Sequence, residues 1–145
     1  MSVFQLSKRE QILKWREFRL EISKMNEIDQ INSVVNYWSK APTITFAIDW
    51  FERQFPTPWE IINEGYYDLN YIAFLMKETL TNSGWDESRI KMCYIKTKEN
   101  AYEGMVLIID NKYLLNYSYM EVLNYDDYKD TFRFLRIDNE ISGDK

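Results

Sequence analysis

The chain has 145 residues, 46% hydrophobic and 28% charged, a length and mix that fit one soluble globular domain burying roughly two-thirds of the surface its unfolded form exposes. Its net charge of −5 opposes a sequence-independent grip on DNA or RNA. With no histidine and a single cysteine, Cys93, it lacks the imidazole of Cys-His and Ser-His catalysis, the ligands of a structural zinc site and the partner for an internal disulfide.

Ser7-Lys8-Arg9-Glu10 is a capping box that opens a helix running to about Lys24. Its apolar members, Ile12, Leu13, Trp15, Phe18, Leu20 and Ile22, do not fall on one clean stripe, so the helix is either sandwiched or lends a face to a partner. Asn26 caps a second helix through Trp38, with Ile28, Ile31, Val34 or Val35, and Trp38 at helical spacing. Ala41-Pro42 ends it, because proline disfavours helical conformation in the residue before it. Ile44, Phe46, Ile48 and Trp50 then alternate with Thr43, Thr45, Ala47 and Asp49, the period of a half-buried strand.

Thr57-Pro58-Trp59-Glu60 carries the most secure boundary in the chain. The Thr57 hydroxyl caps a short helix, Pro58 fits its first position, and Glu60 reaches back to the Thr57 amide. Gly65 supplies a left-handed stop, and Asp68 caps a longer helix to about Asn82, with Leu69, Ile72, Ala73, Met76 and Leu80 on its buried side. Trp85 to Ser88 reads as a polar loop. Arg89 to Thr97 is a strand with Ile90, Met92 and Tyr94 on one face and Lys91, Cys93 and Ile95 on the other. Met105 to Ile109 is an apolar central strand, Asp110-Asn111-Lys112 a turn, and Tyr113 to Tyr117 its hairpin partner. Met120 to Tyr128 reads as acidic, aromatic and irregular, Thr131 to Ile137 as a last strand, and 138–145 as a frayed tail. The order gives one α+β domain over 1–145, with N-terminal and central helices packed on one side of a mainly antiparallel sheet.

The stretch around Trp59 to Ala73 resembles the nucleophile region of transglutaminase-like (papain-like) cysteine proteinases. In that family a capped segment, a glycine and a Gly-Asp-Cys-Glu-Asp-Tyr-Ala helix start carry the nucleophile, and Tyr67-Asp68-Leu69-Asn70-Tyr71-Ile72-Ala73 lies on that pattern with Leu69 in the cysteine's place. The resemblance further puts Gly104, in Glu103 to Ile109, at the catalytic histidine and Asn116 at the aspartate. It covers roughly Trp38 to Asn116 and implies a degenerate relative without the three catalytic groups. It also implies that Leu69 faces the strand bearing Gly104, with Asn116 on the neighbouring strand. Tyr66, Tyr67, Asn70, Tyr71, Gly104 and Asn116 would then line a shallow groove suited to holding a peptide without cutting it.

These readings favour a non-catalytic protein that docks onto a protein partner, with no cofactor and no assigned oligomeric state. An aromatic content of 17% supplies rings for such an interface, and a basic partner suits the charge. There is no signal-peptide-like or membrane-spanning apolar run, so the expectation is cytoplasmic. The chain has 15 Ile and 11 Asn against 4 Ala, a usage of AT-rich codons that suits a phage or other mobile element, and hence host cytoplasm or virion. The alternative is a metal-dependent nuclease in which Asp110 and Lys112, after an apolar strand, hold Mg²⁺ and orient water, with Asp86 or Glu87 as a further ligand. Asp-Asn-Lys is the better turn sequence, and Cys93, within a strand, reads as a quiet thiol.

Overall fold

The computed structural model describes residues 2–43 and 55–137; the strand expected over 43–50, apart from Thr43, and the tail expected over 138–145 lie outside them. The helices begin where local chemistry satisfies their free N–H groups. Helix α1, Lys8–Ile22, has the reciprocal Ser7/Glu10 capping box, and the Asn26 side chain accepts from the Asp29 amide, at 2.9 Å, to start α2, Glu27–Trp38. Helix α3, Pro58–Glu64, starts on Thr57: its hydroxyl accepts from the Glu60 amide at 3.2 Å, and the Glu60 carboxylate accepts from the Thr57 amide at 2.8 Å. Gly65 ends it at φ 77°, a conformation with little cost only for glycine. Asp68 then caps α4, Leu69–Thr81, through the Asn70 amide.

Among the described residues five antiparallel strands form the sheet: β1 (Ile90–Thr97), β2 (Glu103–Ile109), β3 (Tyr113–Leu115), β4 (Val122–Asn124) and β5 (Phe132–Ile137), in the order β4-β3-β2-β1-β5. Asp110 and Asn111 sit at φ 54° and 53° in the β2–β3 loop, the left-handed pair that a tight hairpin turn requires. The expected alternation of β1 places Ile90 and Met92 in the core cluster beneath α1 to α4, and Cys93 and Ile95 in a second cluster. The fold is α+β, with the first four helices sharing one core with the sheet.

Two local expectations are corrected. The stretch 120–128, read as irregular, contains β4 and the single-turn helix α5, Tyr125–Tyr128, and Leu123, Tyr125 and Tyr128 pack on the second cluster. Trp85, read as part of a polar loop, is buried and donates its indole N–H to Gln30 of α2 at 2.9 Å. Helix α4 is buried nearly all round. Its Thr79 hydroxyl accepts from the indoles of both Trp15 and Trp38, each at 2.9 Å, and donates to the Leu75 carbonyl at 2.6 Å. One hydroxyl thus joins α1, α2 and α4 at their centre.

Candidate functional site

The first turn of α4 meets the sheet through two asparagines. The Asn70 side-chain oxygen accepts from the Met105 amide of β2 at 3.1 Å, while the Asn116 amide donates to the Met105 carbonyl at 2.9 Å and the Leu69 carbonyl at 3.0 Å. Asn116 adopts φ 66° just past the end of β3, in the left-handed region that asparagine tolerates better than most residues. Leu69, β2 and Asn116 therefore come together although far apart in sequence. Leu69 itself is not a core residue as expected: it is 44% exposed, in the turn where α4 meets a surface groove.

Gly104 has a specific steric role. A Cβ built on it would lie 2.7 Å from the Tyr102 hydroxyl and 2.9 Å from the nearest ring carbon. The Tyr102 ring thus lies across the strand where a side chain at 104 would stand. Burial, then the Asp68 carboxylate, pushes the Tyr102 phenol above its ordinary value, and burial raises Asp68 against the opposing hydrogen bond from Asn70.

Around this centre lies a groove in two chambers. One, of about 240 Å³, has Trp38, Leu69, Ile72, Met76 and Met120 as apolar lining, with Asn116 and Tyr119 among its polar groups. The other, of about 560 Å³, is lined by Thr97, Asn100, Tyr128 and Thr131 among others, and Tyr102 and Tyr117 border both. The rim is braced. Tyr119 donates to the Ser39 carbonyl at 3.0 Å, and the Tyr117 and Thr131 hydroxyls are 2.7 Å apart.

Of the six residues expected to line the groove, Asn116 lines the first chamber, Gly104 gives Tyr102 its place, and Asn70 pins the helix start. Tyr67 is buried against Phe4 and Trp38, its hydroxyl without a partner among the described residues and its phenol pushed up by burial to about 12. Tyr66 is largely exposed and Tyr71 packs on Phe55; neither lines these two chambers. Tyr102, Tyr117, Tyr119 and Met120 were missed. A tyrosine in extended chain just ahead of β2, two residues before its glycine, is the signal that would have found Tyr102, since residues i and i+2 of an extended chain share a face.

Asp110 sits in the turn with both carboxylate oxygens on Arg89, at 2.9 and 2.6 Å, and Arg89 also binds Glu27 at 2.7 and 2.9 Å. Those hydrogen bonds hold both carboxyls below the usual range. The Lys112 ammonium stands 5.2 Å from the Tyr113 ring centre. Among the described residues no group of three or more Asp, Glu, Cys or His is placed to hold a metal ion. Cys93 is buried in the second cluster, away from the core that α4 shares.

No family model matches the chain, and no curated protein sequence does. Solved structures do. Calcium-bound LapG of Legionella pneumophila, a transglutaminase-like cysteine protease, superposes with a TM-score of 0.73 at 16% identity, over 90% of this chain and 74% of LapG. A second LapG structure gives 0.71 at 17% identity over 88% and 71%, and the EGTA-treated form 0.71 at 17% over 88% and 70%. The likeness is one of fold: the chain has a transglutaminase-like α+β architecture. Among the described residues no helix is long and apolar enough to cross a membrane.

Proposed function

We propose that the chain is a non-catalytic protein on the transglutaminase-like fold that docks onto a protein partner through the groove bordered by Leu69, Tyr102, Asn116 and Tyr119. What supports this is the occupancy of the three positions that the resemblance assigns to catalysis. Leu69 has no nucleophilic atom. The place of an imidazole is taken by the phenol of Tyr102, whose raised pKa keeps it protonated and unable to act as a base at neutral pH. Asn116, in place of a carboxylate, commits its amide hydrogens to two main-chain carbonyls.

The groove offers recognition in place of chemistry. Its floor is apolar and its borders carry tyrosines, side chains with large ring area, a polar tip and few rotatable bonds, which recur where binding energy concentrates. The surplus of Ile and Asn over Ala supports an AT-rich phage or other mobile element as source, with the host cytoplasm or virion as location. Affinity capture from lysate with wild type beside Leu69→Arg and Met120→Arg tests the reading. A polypeptide retained by wild type and lost from both variants is expected. Peptide hydrolysis by the purified chain, or equal recovery by all three proteins, would overturn it.

A further inference from the structure

Helix α1 presents a face to solvent that neither the core nor the groove uses. Arg9, Leu13, Arg16 and Leu20 recur at helical spacing and form one stripe along it. The buried Gln11, Trp15 and Ile22 lie on the other side of the helix. Leu13 is 47% exposed and Leu20 58%.

The charge on this helix runs against that of the chain. Five basic residues face three acidic ones in α1, while the whole chain is at −5. Lys14 pairs with Glu17 at 3.4 Å, but among the described residues no carboxylate meets Arg9 or Arg16. Arg19 lies over the Trp15 ring, 4.1 Å from its centre, with its Nε buried and, among the described residues, without an acceptor. Burial and the neighbouring Arg16 charge both push the Arg19 guanidinium down. Adjacent guanidinium groups beside exposed leucines match the composition of an interface, and they lack only the anion.

We propose that this face of α1 binds an acidic amphipathic segment of another protein, with aliphatic side chains seated on Leu13 and Leu20 and carboxylates paired with Arg9 and Arg16. The charge pattern selects this occupant. A second copy would bring arginine stripes face to face, and an anionic bilayer, broader than the stripe, would also meet Glu10, Glu17 and Glu21 on the flank of the helix, which a single segment laid along Arg9 to Leu20 avoids. The site is separate from the groove and does not depend on the groove's function.

The experiment uses the full chain and defined probes: a synthetic helical peptide with Leu on one face and Glu on the rest, poly-glutamate of equal length, and phosphatidylserine/phosphatidylcholine vesicles. Titration calorimetry should show the amphipathic peptide binding roughly tenfold more tightly than poly-glutamate, since only it engages the leucines. Arg9→Glu, Arg16→Glu and Leu20→Ser, each at an exposed position, should each weaken it about tenfold, whereas Leu69→Arg in the groove should leave it unchanged. Failure of the peptide to bind, equal binding by the Arg9→Glu and Arg16→Glu variants, or loss of binding in Leu69→Arg would overturn the proposal. So would tighter binding to the vesicles, or self-association in sedimentation that Leu20→Ser abolishes.

Discussion

The side-chain amide of Asn116 donates to the carbonyl of Leu69 at 3.0 Å across 47 residues of sequence, and so ties the start of α4 to the end of β3. Its other bond, to the Met105 carbonyl, adds β2 to the same knot. Only a side chain with two N–H hydrogens can serve two carbonyls in this way. Held like this, residue 116 organises the candidate site through structure.

Asn116→Asp should therefore destabilise the fold, although aspartate is the residue the catalytic pattern would have there. A carboxylate accepts and cannot donate, so it would face two carbonyl oxygens, repel both and take the side-chain donor from each. We expect a loss of roughly 1–3 kcal/mol in urea unfolding at pH 7. The loss should shrink at acid pH, where the protonated group recovers one donor; equal stability of the two proteins at pH 7 would contradict the assigned bonds.

Thr79 governs the other end of α4. Thr79→Val keeps the shape and removes the only acceptor seen for the Trp15 and Trp38 indoles, both of which are buried. Two stranded donors should cost at least about 2 kcal/mol. Thr79→Ser keeps the hydroxyl and gives up one methyl, about 1 kcal/mol. Urea midpoints followed by tryptophan emission separate the two outcomes, and a Val variant no worse than Ser would remove the hydroxyl from its central role.

What could be read in the sequence was what is decided within a few residues. The Thr57/Pro58/Glu60 start, the Asn26 cap, the Gly65 stop and the Asp110-Asn111 turn each depend on neighbours, and each stands where its chemistry put it. Residues whose fate depends on distant partners were misread. Trp85 is buried because Gln30, from another helix, accepts its N–H. Leu69 has the spacing of a core residue, but it lies in the turn where α4 reaches the groove, and its exposure follows from that position. β4 spans three residues, too few to display a period. The meeting of Leu69, β2 and Asn116 was legible only through the family pattern, because no local rule links positions so far apart.

Acid should unfold the protein through the Arg89 bridge. Hydrogen bonds from Arg89 hold Glu27 and Asp110 below their unfolded pKa values, so they stabilise the fold above the ordinary carboxylate range, roughly 4, and lose that contribution as pH falls through the lowered values. Asp68 and Glu78 act in the opposite sense: burial raises them, and the fold gains relative stability as they become protonated. Stability should thus hold or rise from pH 6 towards about 4 and fall below it. Arg89→Met should flatten the acid limb in urea midpoints measured from neutral to acid pH. An undiminished limb in that variant would assign acid unfolding to other groups.

The alignment of residue 69 with residue 104 can be tested by building a thiol and an imidazole there. Leu69→Cys with Gly104→His alone meets an obstacle, because the new Cβ would stand 2.7 Å from the Tyr102 hydroxyl. Tyr102→Ala clears the space, and Cys93→Ala removes the native thiol. A cysteine forms thiolate at neutral pH when a nearby imidazolium lowers its pKa from about 8.5. Leu69→Cys/Gly104→His/Tyr102→Ala should therefore react with iodoacetamide at pH 7 about tenfold faster than Leu69→Cys/Tyr102→Ala, with a lower apparent thiol pKa in its rate profile. Retaining Tyr102 should reduce that gain, since its ring competes for the space that the imidazole needs. Peptide hydrolysis is not expected, because a reactive thiolate alone supplies neither a substrate pose nor stabilisation of the oxyanion. Equal alkylation rates with and without Gly104→His would mean that the two positions do not stand as nucleophile and base, and the account of an emptied catalytic centre would fail with them.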